Sequence, residues 1–214
     1  MPAQPPPPQT VRSARAAFFT QNDFGDGGYD QEFAEAQFGP LAYRVPNPEP
    51  RANALRLHDL HHVVTGYETD WRGEAEISAW ELASGLGAQP WAWMIMLWGM
   101  FTGLVLAPRV TVRAFLRGRR SRNLYGRPFD SALLDQDLVS LKTELGLVPS
   151  GADPWDNASW GERAGDVLAL LGAATASMAY GVVGLVPSLG LVAYAWVGEL
   201  GRLTRFMRCN MTPC

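Results

Sequence analysis

The chain has 214 residues, 47% of them hydrophobic, and a formal net charge of −3. This length suits one domain with an appendage, and the mild acidity excludes the bulk basic surface of a non-specific nucleic-acid binder. Cys209 and Cys214, the only cysteines, sit together at the far end, which excludes a disulfide scaffold.

Residues 1–40 read as a Pro-rich, disordered or loosely structured lead-in. The first dozen lack the apolar core of a secretory signal. Phe18, Phe19, Phe24, Phe33 and Phe38 follow among Gly and Asp, and predict a segment that packs by its aromatics. Pro46, Pro48 and Pro50 keep the next stretch extended. Arg51 to Val64 then holds no Gly or Pro, with Leu55, Leu57, Leu60, Val63 and Val64 as apolar positions, so a helix is predicted there, closed by Gly66. Thr69 or Asp70 can cap a second helix from Trp71 to about Leu82. The short link predicts an antiparallel pair, which lets Glu74 face the first helix.

All three histidines fall on the first of these helices, in Leu57-His58-Asp59-Leu60-His61-His62. At about 100° per residue, His62 lies about 40° from His58, Asp59 about 100° and His61 about −60°. His58, Asp59 and His62 share one arc; His58, His61 and His62 share another equally narrow one. Either set, with Glu74, suits zinc, iron, manganese or cobalt.

Beyond Leu82, an apolar run rich in Trp and Met is bounded by Pro90 and Pro108. Apolar on every side, it predicts a core helix that also lines a groove for a lipid, with Trp93, Met96 and Met100 as lining residues. Arg109, Arg113, Arg117 and Arg120 follow on one helical face, suited to anionic head groups or a substrate carboxylate. Arg113 and Arg117 are the candidates for the carboxylate. A second charge-free run, Val167 to Gly198, is interrupted by Gly181, Gly184, Pro187 and Gly190. It predicts an apolar hairpin of two helices, about 14 and 10 residues long, that enters a membrane shallowly or packs on the bundle, with one tilted span as the alternative. Arg202, Arg205 and Arg208 follow it and would meet anionic lipid in the first case. Lys142 is the only lysine; that arginine bias, with abundant Ala and Gly, points to a GC-rich bacterial genome.

His58-Asp59-x-x-His62, an eleven-residue spacer and Glu74, with Gly73 before it and Arg56 upstream, resembles the metal motif of the Coq4 family of ubiquinone-biosynthesis proteins. Arg117-Gly118-Arg119 through Asp130, and Leu138 to Leu147, are similar to a later block of that family. The likeness spans about residues 40 to 148. It implies His58, Asp59, His62 and Glu74 as ligands, and leaves His61 variable. It also implies a polyprenylated, carboxylated phenol as substrate, whose ring carboxyl is replaced by hydroxyl. A divalent metal, zinc foremost, would be the cofactor. Partners would be the polyprenyl lipid, other quinone-biosynthesis enzymes, the membrane surface and a second copy of the chain. A lipid-binding scaffold that gathers such enzymes is the alternative.

The expectation is therefore an all-α bundle with a metal site between two helices: a lead-in over 1–40, a helical domain over 41–148 and an apolar extension over 149–214. No phosphate-binding loop, dinucleotide motif or nucleophile elbow is present in the sequence. His-Asp-x-x-His is not the zinc-protease His-Glu-x-x-His, and a metal-dependent phosphohydrolase of the His-Asp type needs a histidine beyond 58–62.

Overall fold

The computed structural model describes residues 9–38, 41–147 and 158–184, and it is an all-α fold with one small hairpin. The elements are α1 Val11–Gln21, β1 Phe33–Phe38, β2 Leu41–Pro46, α2 Glu49–Thr65, α3 Trp71–Ser84, α4 Pro90–Leu106, α5 Pro108–Gly118, α6 Ser131–Leu134 and α7 Leu138–Glu144. The last described helix, α8, spans Trp160–Gly184.

The centre is α3, with α4 and α5 laid against it and α2 meeting α3 and α4 more lightly. α2 starts two residues before its sequence-based limit, because Pro50 is accepted in a first turn where its missing N–H costs nothing. Gly66 ends it in the left-handed region, φ 76°, and donates its N–H to His62 O. Asp70 rather than Thr69 caps α3, accepting the Gly73 N–H at 2.7 Å. A Cβ on Gly73 would overlap the Glu68 carbonyl, so glycine lets the turn close tightly just before Glu74. Leu57, Leu60, Val64, Ile77 and Trp80 form the seam and are buried. Each such aliphatic side chain contributes about 1.5–3 kcal/mol.

The lead-in is more ordered than its composition predicts. Thr10 caps α1 by accepting the Ser13 N–H, and Val11 is fully buried in the core. Residues 9 to 11 are stitched to α7's start by Val11 N–H to Gln136 O and Leu138 N–H to Gln9 O. These long-range bonds satisfy a backbone that local composition left unpaired. The expected boundary at residue 40 falls inside an antiparallel hairpin, where Phe38 faces Leu41 and Phe33 faces Pro46.

The extension differs as well. α8 starts at Trp160, before the charge-free run, continues through Gly181 and is 25 residues long as far as Gly184; the rest of the predicted break, Pro187 and Gly190, lies outside the described residues. Its mean hydropathy is 1.7 and only 11% of its most apolar window is buried, so it is long and apolar enough to cross a membrane. It docks by a narrow stripe. Asp166 pairs with Arg119 and Arg120, Ala169 and Ala173 pack on the core, and Gly181 lies against the Phe101 ring, where a Cβ would clash. Leu168 and Val183, on the other side, are 70% and 73% exposed. The predicted second helix of the hairpin, Arg202, Arg205, Arg208 and both cysteines lie outside the described residues.

Candidate metal centre

His58 and His62 stand one turn apart on α2, and Glu74 reaches them from the first turn of α3. His58 Nε2 is 3.4 Å from Glu74 Oε2, His62 Nε2 is 3.3 Å from Glu74 Oε1, and the two Nε2 atoms are 3.2 Å apart. Ligands about 2.0–2.1 Å from a tetrahedral ion lie about 3.3–3.4 Å from each other. The three atoms thus already mark one face of such a shell. His58, His62 and Glu74 form a possible metal-binding triad, both imidazoles buried and the carboxylate half-buried.

The back of each ring shows which nitrogen is free. His62 Nδ1 is 2.9 Å from the Tyr67 carbonyl, which can only accept, so Nδ1 carries the proton. His58 Nδ1 is 2.9 Å from Glu81 Oε1 and donates to it. With Nδ1 of both rings bonded from behind, the two Nε2 atoms are left to converge on the Glu74 carboxylate, where protons hold them together in the metal-free site and a cation can replace those protons. Histidine with its outer nitrogen bonded to a carboxylate or carbonyl is the usual form of a metal ligand. The donor set therefore fits a divalent ion.

His61 shares the arc but not the lone pair. Its Nε2 accepts the Leu124 N–H at 2.9 Å and its Nδ1–H donates to Glu81 Oε1 at 2.6 Å. Both nitrogens are used, so the geometric tie between the two histidine sets is resolved by bonding. Asp59 lies beside the triad rather than in it. Turned about 100° from His58, its carboxylate meets the Tyr29 hydroxyl, which donates to Oδ2. Phe18 of α1 stacks on the His62 ring at 5.9 Å and 18°, so the lead-in roofs the site.

Charges follow this layout. Burial raises the Glu74 carboxyl, but bonds from His58 and His62 outweigh it and bring it down to about 2. Burial lowers His58, yet Glu81 and Glu74 outweigh it and hold the ring well above its ordinary value. Burial lowers His61, in keeping with a ring that accepts an amide. Burial raises Asp59, only partly offset by His58 and by the Tyr29 hydroxyl.

The remaining sequence candidates separate. Arg117 donates to Thr65 O at 3.2 Å and lies 5.2 Å over the Tyr67 ring; Arg113 is exposed. The structure records no contact of either with the triad. Met96 and Met100 are buried in the core, because α4 turns them toward α2 and α3. Trp93 is 43% exposed and lines a groove of about 320 Å³ beneath α8, with Leu82, Leu97, Phe115, Arg119 and Ala173. The expected tail-binding surface is thus split: one of its three residues faces a groove and two are core.

Three residues of the centre carried no sequence signal that was read: Glu81, Tyr125 and Tyr29. Glu81 could have been found, since it stands seven residues after Glu74 and so on the same stripe of α3. No family model matches the chain, and neither a curated protein nor a solved structure matches it.

Proposed function

We propose that the chain is a metal-dependent enzyme of ubiquinone biosynthesis that removes the ring carboxyl of a polyprenylated phenol. The observation that carries the reading is the convergence of two Nε2 atoms and the Glu74 carboxylate, with both rings pinned from behind at Nδ1. His58, His62 and Glu74 hold a divalent ion, zinc foremost, and Asp59 is the adjacent carboxylate available as fourth ligand. A bound ion supplies Lewis-acid polarisation of a ring oxygen or carboxylate. Loss of CO2 with entry of hydroxyl is a two-electron oxidation, so dioxygen or another oxidant is the co-substrate.

Around it, the chain's own residues bind and exclude water. Phe18 covers His62. The groove edged by Trp93 and Leu82 takes the apolar tail; Leu82 is eight residues from Glu74 on α3, about 12 Å along the helix. The reading puts the protein at the cytoplasmic face of a bacterial inner membrane, peripheral or shallowly inserted, with other quinone-biosynthesis enzymes as partners; the length and apolarity of α8 support a membrane association. A second reading, a lipid-binding scaffold with a structural metal, is favoured by the engagement of Arg117 with the Thr65 carbonyl and the Tyr67 ring. In cells lacking the endogenous activity, Glu74→Ala blocks quinone formation and accumulates the carboxylated prenyl-phenol, read by mass spectrometry of lipid extracts. Depletion of many intermediates together instead favours the scaffold.

A further inference from the structure

Glu81 is fully buried yet accepts three hydrogen bonds: from His58 Nδ1 at 2.9 Å, from His61 Nδ1 at 2.6 Å and from the Tyr125 hydroxyl at 2.7 Å. A buried carboxylate is expensive, and replacing such a group with apolar side chains is often neutral or stabilising. Stability alone therefore does not explain it. Its place does. Glu74 and Glu81 lie two turns apart on one stripe of α3, and the His58 ring is strung between them, Nε2 toward Glu74 and Nδ1 toward Glu81.

We propose that Glu81 is the positioning residue of the metal centre, fixing the tautomer and ring angle with which His58 presents Nε2 to the ion. The inference rests on the metal reading above. The other two donors hold Glu81 itself. Because the Leu124 amide occupies His61 Nε2, His61 can only present Nδ1–H to Oε1. Tyr125, next in the chain, secures Oε2. A histidine on the ligand face thus becomes a brace, and the 124–125 segment sets the carboxylate's orientation. Outer partners of this kind strengthen the ligand's basicity and are worth about 10–100-fold in metal affinity.

The test is competition titration of the full chain with zinc(II) and cobalt(II) against a chelator, together with the absorption spectrum of the cobalt form. Glu81→Gln keeps the shape but presents an amide where donors converge. It should bind about 10–100-fold more weakly and shift the cobalt bands, while far-UV circular dichroism of the metal-free protein stays that of the wild type. A purely structural role would leave the cobalt bands in place. Wild-type affinity and spectrum in a folded Glu81→Gln protein overturn the proposal. If that variant does not fold, Tyr125→Phe decides: loss of one Glu81 partner should weaken binding several-fold, and unchanged affinity with unchanged bands overturns it. A wild-type chain that binds neither ion overturns the metal reading itself, a distinct result.

Discussion

The α2–α3 corner and α8 solve opposite problems. The corner buries three imidazoles and a carboxylate and gives each ring's Nδ1 a protein partner. α8 buries almost nothing and relies on one ion-pair cluster and a stripe of small residues. The first region specifies its geometry internally, because unsatisfied polar groups inside a fold are costly. The second leaves its outer face open among the described residues, and it is a 25-residue helix long and apolar enough to cross a membrane.

The contrast breaks most directly at the ligands. His58→Ala or His62→Ala should abolish bound metal, a loss beyond the roughly 10–100-fold expected for an outer partner. His61→Ala should largely keep the ion in whatever fraction folds, bound several-fold more weakly because Glu81 loses one partner, since neither of its nitrogens faces the triad. Elemental analysis of purified variants checks both. Full occupancy in His62→Ala would end the assignment.

Core and groove on α4 divide next. Met100→Ala removes a fully buried side chain and should cost about 2–5 kcal/mol. Trp93→Ala, at the groove, should cost far less yet deplete co-purifying prenyl lipid. Denaturant unfolding and lipid mass spectrometry measure the two. Equal destabilisation with unaltered lipid would show the groove to be packing alone.

The split on α4 also shows what sequence reading reaches. The histidine pair and Glu74 were legible because both helices are cleanly bounded, by prolines, Gly66 and the Asp70 cap. The inward side of α4 was not, since a helix apolar all round carries no periodic signal. Glu81 shares the stripe of Glu74, but only the fold brings Tyr125 to it across 44 positions. α1 was missed because its anchors, Gln136 and Leu138, lie over a hundred residues away. The β1–β2 pairing is not legible for a different reason: its strands lie on either side of the expected domain edge at residue 40.

Acid tests the corner's charge in the metal-free protein. Burial raises Glu81, but His58 and His61 outweigh it and hold its carboxyl well below the ordinary 4.5. A carboxyl depressed on folding adds stability above its unfolded value, and that contribution is lost as pH falls through the folded value. Glu74, brought to about 2, behaves likewise. The melting temperature of metal-free wild type should therefore fall steadily below pH 4.5, and Glu81→Gln should flatten that slope. Parallel slopes in the two proteins would place the acid sensitivity elsewhere.

The smallest effect belongs to α8. Asp166 is 5% exposed and pairs with Arg119 at 3.2 Å and Arg120 at 2.7 Å, but those guanidiniums are partly open to water. Asp166→Asn leaves two cations that can rehydrate, so the cost should be about 1–2 kcal/mol, well below that of breaking a fully buried pair. Because α8 docks by one stripe, this loss should fall on the helix and spare the metal centre. Hydrogen exchange should quicken across 166–181 while α2 and α3 stay protected. Binding to anionic vesicles should rise, since a released α8 offers its Ala169, Ala173 and Gly181 side as well as its outer face. Faster exchange in α2, with metal affinity falling in step, would mean that α8 is part of the same cooperative core as the corner, and the division between the two regions would not hold.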